Sequence, residues 1–381
     1  CGGWGDAATI VPWEMYETYG DIRILKKCYD MMKKWVEYQN STDRRNYGVR
    51  TVDGKEVPEQ SDLATIPYIQ VQQCRGDHLT YDNSTPYIYS ATAYAAHSAD
   101  ILRRTAYIFG KTDDEKRYTE LFENIKRAFN DAWVNDDGSV SYYGEVSSQT
   151  AHCGESVALD GSVTRYTYYA ENTPHCPSQT AYALAVDFDL IPQDKLKNTR
   201  KYFKNSILRN NGKLTVGFLG ISHLAPALSK VGLDDVAFKL LEQEDNPSWL
   251  YSVKNGATTI WERWNSYIAE TGTFGDVSMN SFNHYSYGAI GQWFFTDILG
   301  IRPVEFGYKS FMLAPKFGGG LTYAKGSFTS PYGKISSAWK LHDGKFTYDC
   351  TVPTNTTATL KLPNGDIHTL VGGSYLFEFN V

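Results

Sequence analysis

The sequence lacks several features that define common protein classes. Its 381 residues contain no apolar run of about 18 residues, so no membrane-spanning helix is predicted. Basic residues are not in excess: 37 Lys and Arg stand against 43 Asp and Glu, the net charge is −6, and a nucleic-acid-binding surface is not expected. The opening CGGWGDAATIVPWEMY has no basic start and no apolar targeting core. We therefore predict no signal peptide, which for a bacterial source leaves the cytoplasm and the periplasm both open.

Metal and cofactor motifs are also missing. The six cysteines form no C-x-x-C pair, so a structural zinc site is not expected. Cys153 and Cys176 flank one loop-like segment and are compatible with a disulfide in an oxidising compartment or with two free thiols. The absence of G-x-G-x-x-G, G-x-x-x-x-G-K-[ST], G-x-S-x-G and H-E-x-x-H removes support for dinucleotide binding, P-loop chemistry, α/β-hydrolase catalysis and zinc proteolysis. We predict neither a metal nor an organic cofactor.

Aromatic residues, by contrast, are abundant. The 9 Trp, 28 Tyr and 18 Phe make up 14% of the chain. Trp and Tyr bury a large area while keeping a polar group, which suits sugar binding and equally a large aromatic core. Hydrophobic residues at 42% and charged residues at 21% predict a folded chain, built as two or three domains or as one large enzyme domain.

Helices are predicted through most of the chain before Pro303. Residues 21–39 repeat apolar side chains at steps of three and four, which is typical of a helix with one buried face. The other predicted helices lie at 88–109, 112–133, 179–188, 193–209, 219–231, 233–244 and 284–299. Gly110, Gly232 and Gly300 stand where helices are expected to stop.

Two long polar stretches interrupt the helices, at 40–86 and 134–178. Loops of this length are usually functional lids or short β excursions. Asp62 lies in the first stretch and His152 in the second, each among other charged residues that lack compact metal-ligand spacing.

The pattern changes after Pro303. Apolar and polar residues alternate there, and Asp343-Gly344 and Asn364-Gly365 are strong hairpin signals. We predict a mainly α domain over 1–303 and a small antiparallel β domain over 304–381.

Residues 246–264 hold the densest aromatic cluster. Three tryptophans surround Glu262 and Arg263, namely Trp249, Trp261 and Trp264. Aromatic faces stack on sugar rings, and aromatic walls exclude water, which raises the pKa of a carboxylate toward values useful for acid–base catalysis. Arg263 is expected to hold Glu262 ionised or to bind a hydroxyl. The alternative is a buried helix start with a structural Glu–Arg pair.

Two further clusters fit sugar binding. Gly3-Trp4-Gly5-Asp6 places a tryptophan beside a carboxylate in a glycine-rich turn, although a helix N-cap explains Asp6 nearly as well. His284 opens a predicted helix and is expected to donate to a sugar hydroxyl or to Glu262, or to be a structural histidine. Carboxylate chemistry in an aromatic site favours glycoside hydrolysis.

The segment GATTIWERW, residues 256–264, resembles the signature of the family 78 glycoside hydrolases, the α-L-rhamnosidases. The likeness continues through GDA at 5–7, SQTAYAL at 178–184, TVGFLG at 215–220, PSWLY at 247–251 and NHYSYG at 283–288. It implies an (α/α)6 barrel followed by a C-terminal β-sandwich, in agreement with the helical and β parts predicted above.

The resemblance also implies an inverting enzyme that releases terminal α-L-rhamnose. An inverting carboxylate pair stands ~6.5–9.5 Å apart, and the family's general base corresponds to Glu262. Its G-W-x-G-D region corresponds to Trp4 and Asp6, with Trp4 one place nearer the aspartate than in many members. The predicted substrate-binding residues are Trp4, Asp6, Asp62, Trp249, Arg263, Trp264 and His284.

The sequence departs from the family pattern in two places. The family's general acid is a Glu of an R-x-E segment shortly before the G-W tryptophan, and that position falls at or before the first residue here. We therefore expect the acid upstream, in a longer enzyme whose N-terminal β-sandwich domains are absent from this chain. Residues 57–68 stand where many members carry G-D-W-L, so a stacking tryptophan is expected to be lost and Asp62 is assigned there.

Alternative functions stay open at this stage. One is an (α/α)6 glycosidase for another neutral or deoxy sugar, and another is a non-catalytic carbohydrate-binding barrel, which the missing R-x-E favours. A purely structural helical scaffold is disfavoured by the tryptophans around Glu262. Carbohydrate is the predicted partner in the favoured hypothesis, while the aglycone, the linkage and the oligomeric state are not decided by the sequence.

Overall fold

The computed structural model describes residues 2–41, 49–52, 55–58, 67–70, 76–81, 85–141, 154–157, 163–166 and 177–381. Within these ranges no helix is both long and apolar enough to cross a membrane. Asp62 and the cysteines Cys153 and Cys176 lie outside the described residues.

The chain divides into two compact units. The first comprises Cys1–Asp6 and Lys34–Ala227, and the second comprises Ala7–Lys33 and Leu228–Val381. Helices and strands both contribute to the second unit. The predicted domain boundary at residue 303 stays a prediction.

Helices form most of the described chain before Gly300. In chain order they are α1 Ala7–Tyr19, α2 Ile22–Gln39, α3 Tyr87–Ile108, α4 Thr112–Trp133, α5 Gln179–Asp187, α6 Leu196–Leu208, α7 Phe218–Lys230, α8 Asp234–Leu241, α9 Trp249–Lys254 and α10 Ile290–Trp293. A 3-10 turn, Ser286–Ala289, precedes α10 and a π turn, Phe294–Ile298, follows it. Each predicted helix is therefore present within a few residues of its expected bounds.

Helices α3 and α4 show how sequence dictates position. Helix α3 is rich in alanine and buries most of its residues, because small side chains let neighbouring helices approach on every side. Helix α4 begins with acidic residues that complement the helix dipole, and it buries a single stripe. Gly110 follows the end of α3 with a φ of +64°, as predicted.

Helix α1 was not among the helices predicted from apolar periodicity, although the N-cap alternative for Asp6 allows a helix to begin at Ala7. Pro12 lies inside it and normally interrupts a helix, because proline lacks the N–H that the preceding turn needs. The structure nevertheless buries Pro12 and Trp13. The rings of Trp13 and Tyr16 pack against Phe306, with centroids 5.4 and 4.8 Å away. Packing within the second unit stabilises this helix.

Most strands follow the last helix, two pairs lie in the two polar stretches, and one short pair lies between α9 and α10. They are β1 Val49–Val52, β2 Lys55–Pro58, β3 Gly154–Val157, β4 Val163–Tyr166, β5 Tyr267–Ile268, β6 Thr273–Phe274, β7 Ile301–Pro303, β8 Ser310–Leu313, β9 Tyr323–Ser330, β10 Gly333–His342, β11 Lys345–Val352, β12 Thr357–Lys361, β13 Ile367–Leu370 and β14 Gly373–Asn380. The antiparallel hairpins β1–β2 and β3–β4 agree with the predicted β excursions.

The C-terminal strands form two four-stranded sheets, ordered β14-β11-β10-β9 and β13-β12-β8-β7. The predicted hairpin at Asp343-Gly344 joins β10 to β11, and both turn residues have positive φ, as a type I′ turn requires. One pairing differs from the antiparallel prediction: β12 runs parallel to β8. A parallel pair needs a long crossover, which here runs through the strands of the other sheet.

The second unit joins the end of the helical segment to the sheets by direct hydrogen bonds. The Trp339 indole N–H donates to the Ile298 carbonyl oxygen at 2.9 Å, and the Ser337 hydroxyl donates to the Leu299 carbonyl oxygen at 2.7 Å. These donors and acceptors are buried, so the π turn and strand β10 hold each other in place.

Candidate active site

Three aromatic rings of the second unit pack against one another. Trp264 stacks on Tyr287 with ring centroids 3.8 Å apart, and Trp249 meets Trp264 edge to face at 5.4 Å. The Trp249 indole N–H donates to the Tyr287 carbonyl oxygen at 2.9 Å, which fixes the orientation of the indole. The structure therefore brings the predicted Trp249 and Trp264 together and adds Tyr287, which the sequence pattern did not single out.

These rings line a pocket of about 240 Å³. Its wall also includes Trp261, Ile260 and Val253, and the Arg263 side chain borders it. Sites for drug-sized ligands measure ~300–1,000 Å³, so this pocket suits a smaller group. Glu262 is not part of the pocket lining, although it lies between two residues that are.

Glu262 sits in an irregular segment after α9 and is partly buried. Its carboxylate Oε2 accepts a hydrogen bond from the Ser281 backbone N–H at 2.7 Å, and its own N–H donates to the Ser281 carbonyl oxygen at 2.8 Å. Two hydrogen bonds to one partner residue orient both the backbone and the carboxylate.

His284 lies on the segment that pairs with the Glu262 segment. The His284 N–H donates to the Ile260 carbonyl oxygen at 2.9 Å. Residues 260–262 therefore pair with residues 281–284, and the 281–284 segment contains one extra residue, as in a β-bulge. The side chain stays partly exposed, and its Nδ1 accepts from the Ser286 N–H at 3.3 Å. Backbone pairing thus brings the chain at Glu262 and the chain at His284 into one neighbourhood.

Arg263 contacts a different carboxylate from the one expected. Its Nε donates to the Met279 carbonyl oxygen at 2.8 Å, and its Nη2 pairs with Asp276 at 3.2 Å. Hydrogen bonds from Ser278 lower the pKa of Asp276, and the Arg263 charge adds to that lowering. Arg263 is therefore anchored on one side by Asp276 while it borders the pocket.

Asp6, in the first unit, is fully buried. Its Oδ1 accepts from the Trp35 indole at 2.9 Å, the Gln39 amide at 3.0 Å and the Ser98 hydroxyl at 2.6 Å. Its Oδ2 accepts from the Gly3 N–H at 2.7 Å, so the carboxylate closes the turn that carries Trp4. The hydroxyl-binding role predicted for Asp6 stays a prediction.

Trp4 belongs to a cluster of three rings in the first unit. It is 38% exposed, and its ring lies 6.2 Å from that of His78 and 6.2 Å from that of Phe218. His78 and Phe218 meet edge to face at 5.6 Å. The Trp4 indole N–H points to the Gly76 carbonyl oxygen at 3.4 Å, which places the indole on the loop that carries His78.

Asp77, beside His78, is a buried carboxylate that the sequence pattern did not single out. Gly76-Asp77-His78-Leu79 matches three letters of the G-D-W-L sequence that was expected at 57–68. This partial match is the signal in the sequence that points to Asp77. The assigned Asp62 lies outside the described residues, so its role stays a prediction.

Among the described residues no group of three or more His, Cys, Asp or Glu side chains could hold a metal ion. The second unit contributes Glu262, Arg263, His284 and their neighbouring aromatic rings as candidate residues, and the first unit contributes Trp4, Asp6 and His78.

Two family models match the chain. The bacterial α-L-rhamnosidase 6-hairpin glycosidase domain covers residues 2–298, and the bacterial α-L-rhamnosidase C-terminal domain covers 300–376. The chain therefore belongs to the bacterial α-L-rhamnosidase family, which confirms the resemblance found in the sequence. The predicted (α/α)6 class is confirmed as well, because it is the fold of the 6-hairpin glycosidases.

Individual relatives agree with the family models. An α-L-rhamnosidase of Formosa agariphila is 34% identical over 370 residues, which is 97% of this chain and 34% of the relative. One from Streptomyces avermitilis is 35% identical over 362 residues, 95% of this chain and 29% of the relative. The crystal structure of the Streptomyces avermitilis α-L-rhamnosidase complexed with L-rhamnose matches with a TM-score of 0.79 at 31% identity, over 98% of this chain and 33% of that one. The chain spans about a third of the length of these relatives.

Proposed function

We propose that this chain is the catalytic region of an α-L-rhamnosidase, which releases terminal α-L-rhamnose from glycosides or polysaccharides by an inverting reaction. Family membership over nearly the whole chain supports this proposal, as does the similarity to an α-L-rhamnosidase whose structure was determined with L-rhamnose. The observation in this chain that carries the proposal is the Glu262 carboxylate of the W-E-R-W segment, which accepts a hydrogen bond from the Ser281 N–H.

Glu262 acts as the general base in this proposal. Its carboxylate takes a proton from water while the water oxygen attacks the anomeric carbon on the face opposite the leaving group. The bond to the leaving oxygen breaks with the electron pair going to that oxygen, which a general acid protonates. The resemblance implies that this acid precedes Trp4.

The remaining predicted residues bind the sugar. Trp4, Trp249 and Trp264 shape the sugar subsite, Trp264 from a buried position against Tyr287. Arg263 and His284 donate to hydroxyls, and the Asp62 carboxylate accepts from one. Asp6 acts by holding the turn that carries Trp4, because its two oxygens already accept four hydrogen bonds within the first unit. The anchoring of Arg263 by Asp276 supports this role, because a guanidinium held on one side loses less conformational entropy when it binds a hydroxyl.

The decisive experiment is hydrolysis of α-L-rhamnosyl fluoride by residues 1–381. Fluoride leaves with little help from a general acid, so the assay reports on the base and the sugar site alone. We expect turnover with β-L-rhamnose as the first product by proton NMR, because inversion changes the anomeric configuration. Glu262→Gln should lower turnover by about 10²–10⁴-fold, the usual contribution of a general base.

Glu270→Gln is the matched control, because Glu270 lies in the same unit and is exposed. It should keep the wild-type rate, and circular dichroism should show both variants folded. Wild-type turnover that survives in Glu262→Gln would overturn the assignment of the base. Hydrolysis of another glycosyl fluoride in place of the rhamnosyl one would identify a different sugar, and rhamnose binding with no turnover of any fluoride would indicate a binding barrel.

A further inference from the structure

We propose that Asp77 is a positioning residue for the sugar subsite: it clamps the Gly76–Tyr81 loop onto the start of α7 and thereby fixes His78 and Trp4. The subsite itself rests on the proposed function, whereas the clamp is a property of the described structure.

The Asp77 carboxylate is only 4% exposed and accepts four hydrogen bonds. Three come from backbone N–H groups at the start of α7, from Gly217 at 2.8 Å, Leu219 at 2.8 Å and Gly220 at 3.0 Å. The fourth comes from the Thr180 hydroxyl at the start of α5. Donors at the first turn of a helix have no partner inside the helix, so this carboxylate caps α7 from a distant part of the chain.

The loop backbone is held at the same place. The Phe218 N–H donates to the His78 carbonyl oxygen at 2.9 Å, and the Tyr81 N–H donates to the Thr215 carbonyl oxygen at 2.8 Å. A Cβ on Gly217 would stand 2.3 Å from the His78 carbonyl oxygen, so only glycine permits this approach.

The loop conformation needs such a clamp. Leu79 has a φ of +58°, in the left-handed region that side chains other than glycine rarely adopt. A residue stays in this region only when its surroundings over-determine it, and such strain occurs mainly near functional sites.

The clamp reaches Trp4 through short contacts. His78 follows Asp77 directly, its ring touches Trp4 and Phe218 edge to face or nearly so, and the Trp4 indole N–H points to the Gly76 carbonyl oxygen. Phe218 is itself the first residue of α7. Moving Asp77 would therefore move both rings against which Trp4 packs.

Asp77 cannot be the group that touches substrate in this arrangement. Both its oxygens are engaged by α5 and α7, and burial raises the pKa of Asp77 while the four donors oppose that rise. Its effect on catalysis must pass through the rings that it holds.

The first test monitors the environment of the Trp4 ring and does not depend on enzymatic activity. The protein is labelled with 5-fluorotryptophan, and the Trp4 signal in the fluorine NMR spectrum is identified by its loss in Trp4→Phe. We expect this signal to shift or broaden in Asp77→Asn, because the new amide can turn an N–H donor toward the N–H donors of α7. We expect the same in Thr180→Val, which removes the hydroxyl that donates to Asp77. Thr180→Ser, which keeps the hydroxyl, and Asp297→Asn, which changes a buried carboxylate of the second unit, should leave the signal in place.

The second test measures the connection to substrate. With α-L-rhamnosyl fluoride, Asp77→Asn and Trp4→Ala should each raise KM about tenfold with kcat within about twofold, and the double variant should also stay near tenfold. An unmoved Trp4 signal in Asp77→Asn, or KM effects that multiply to about a hundredfold, would overturn the proposal. If Asp77→Asn does not fold, Thr180→Val takes its place in both tests. If the wild type does not hydrolyse the fluoride, the proposed function fails and the fluorine signal alone decides whether Asp77 positions Trp4.

Discussion

Three buried aspartates of the described residues accept hydrogen bonds from different kinds of donor. Asp6 and Asp77 accept from indole, amide, hydroxyl and backbone N–H donors of the first unit. Asp297, in the second unit, is 1% exposed and pairs with Arg302 and with Lys316 at 3.0 Å. An Asp→Asn change keeps the shape but adds a donor, so it tests each network with little change in packing.

At the residue scale, the partner of Arg263 gives a pH-dependent prediction. The folded pKa of Asp276 lies below its ordinary value, so the folded state favours the ionised form. The stability that Asp276 contributes should be complete above about pH 5 and lost as the pH falls through the lowered folded pKa. Thermal melting of the wild type and Asp276→Asn should show a constant difference above about pH 5 that shrinks as the pH falls below the ordinary aspartate pKa.

Ser278→Ala is the companion variant for this measurement. The Ser278 hydroxyl donates to Asp276 at 2.6 Å and is the largest cause of the lowered pKa. Its removal should reduce the pH-dependent stability that Asp276 contributes, whereas Asp276→Asn should abolish that contribution. A difference in melting temperature that is the same at about pH 2 as at about pH 7 would contradict this account.

At the element scale, the short helix α9 depends on its cap. The Ser248 hydroxyl accepts from the Tyr251 N–H at 3.0 Å, and Ser248 is fully buried. Helices of this length are unstable alone, so the cap and the packing of Trp249 must hold the helix in place. The same helix carries Tyr251, whose hydroxyl donates to the Tyr267 carbonyl oxygen at 3.1 Å.

We expect Ser248→Ala to lower the free energy of unfolding by about 1 kcal/mol, the usual cost of losing an N-cap. The control is Ser252→Ala in the same helix, which removes a hydroxyl away from the cap and should change stability by less than about 0.5 kcal/mol. Urea denaturation of both variants measures this. Equal effects at the two positions would show that the cap does not stabilise α9.

At the scale of the whole molecule, an ion network connects separate parts of the second unit. Lys316, which follows β8, reaches both Asp234 at the start of α8 and Asp297 in the π turn, at 2.7 and 3.0 Å. Arg302 of β7 completes the network at Asp297. Helical and β segments of this unit are therefore coupled by charge as well as by the buried Trp339 hydrogen bond.

We expect Asp297→Asn to lower the free energy of unfolding by about 2 kcal/mol or more, because two cations lose their shared buried partner. Asp366→Asn, on the exposed turn after β12, should have little effect. Thermal melting followed by circular dichroism measures both changes. A melting temperature of Asp297→Asn equal to that of the wild type would contradict a structural role for the network.

Local elements and the candidate base can be predicted from the order of residues alone. Helical periodicity, stop glycines such as Gly110 and the Asp343-Gly344 turn act over a few residues, so they can be predicted without a fold. The W-E-R-W segment likewise singles out Glu262 and its tryptophans, because these residues are neighbours along the chain.

Which side chains meet depends on the folded chain. Asp77 binds N–H groups that lie 140 or more residues later in the chain, and no local pattern contains that distance. Helix α1 forms despite Pro12 because packing against Phe306 outweighs the local preference, and β12 pairs in parallel with β8 because the intervening strands form the other sheet. Arg263 lies next to Glu262 in sequence yet pairs with Asp276. Propensity depends on neighbours along the chain, whereas burial and hydrogen bonding depend on neighbours in space.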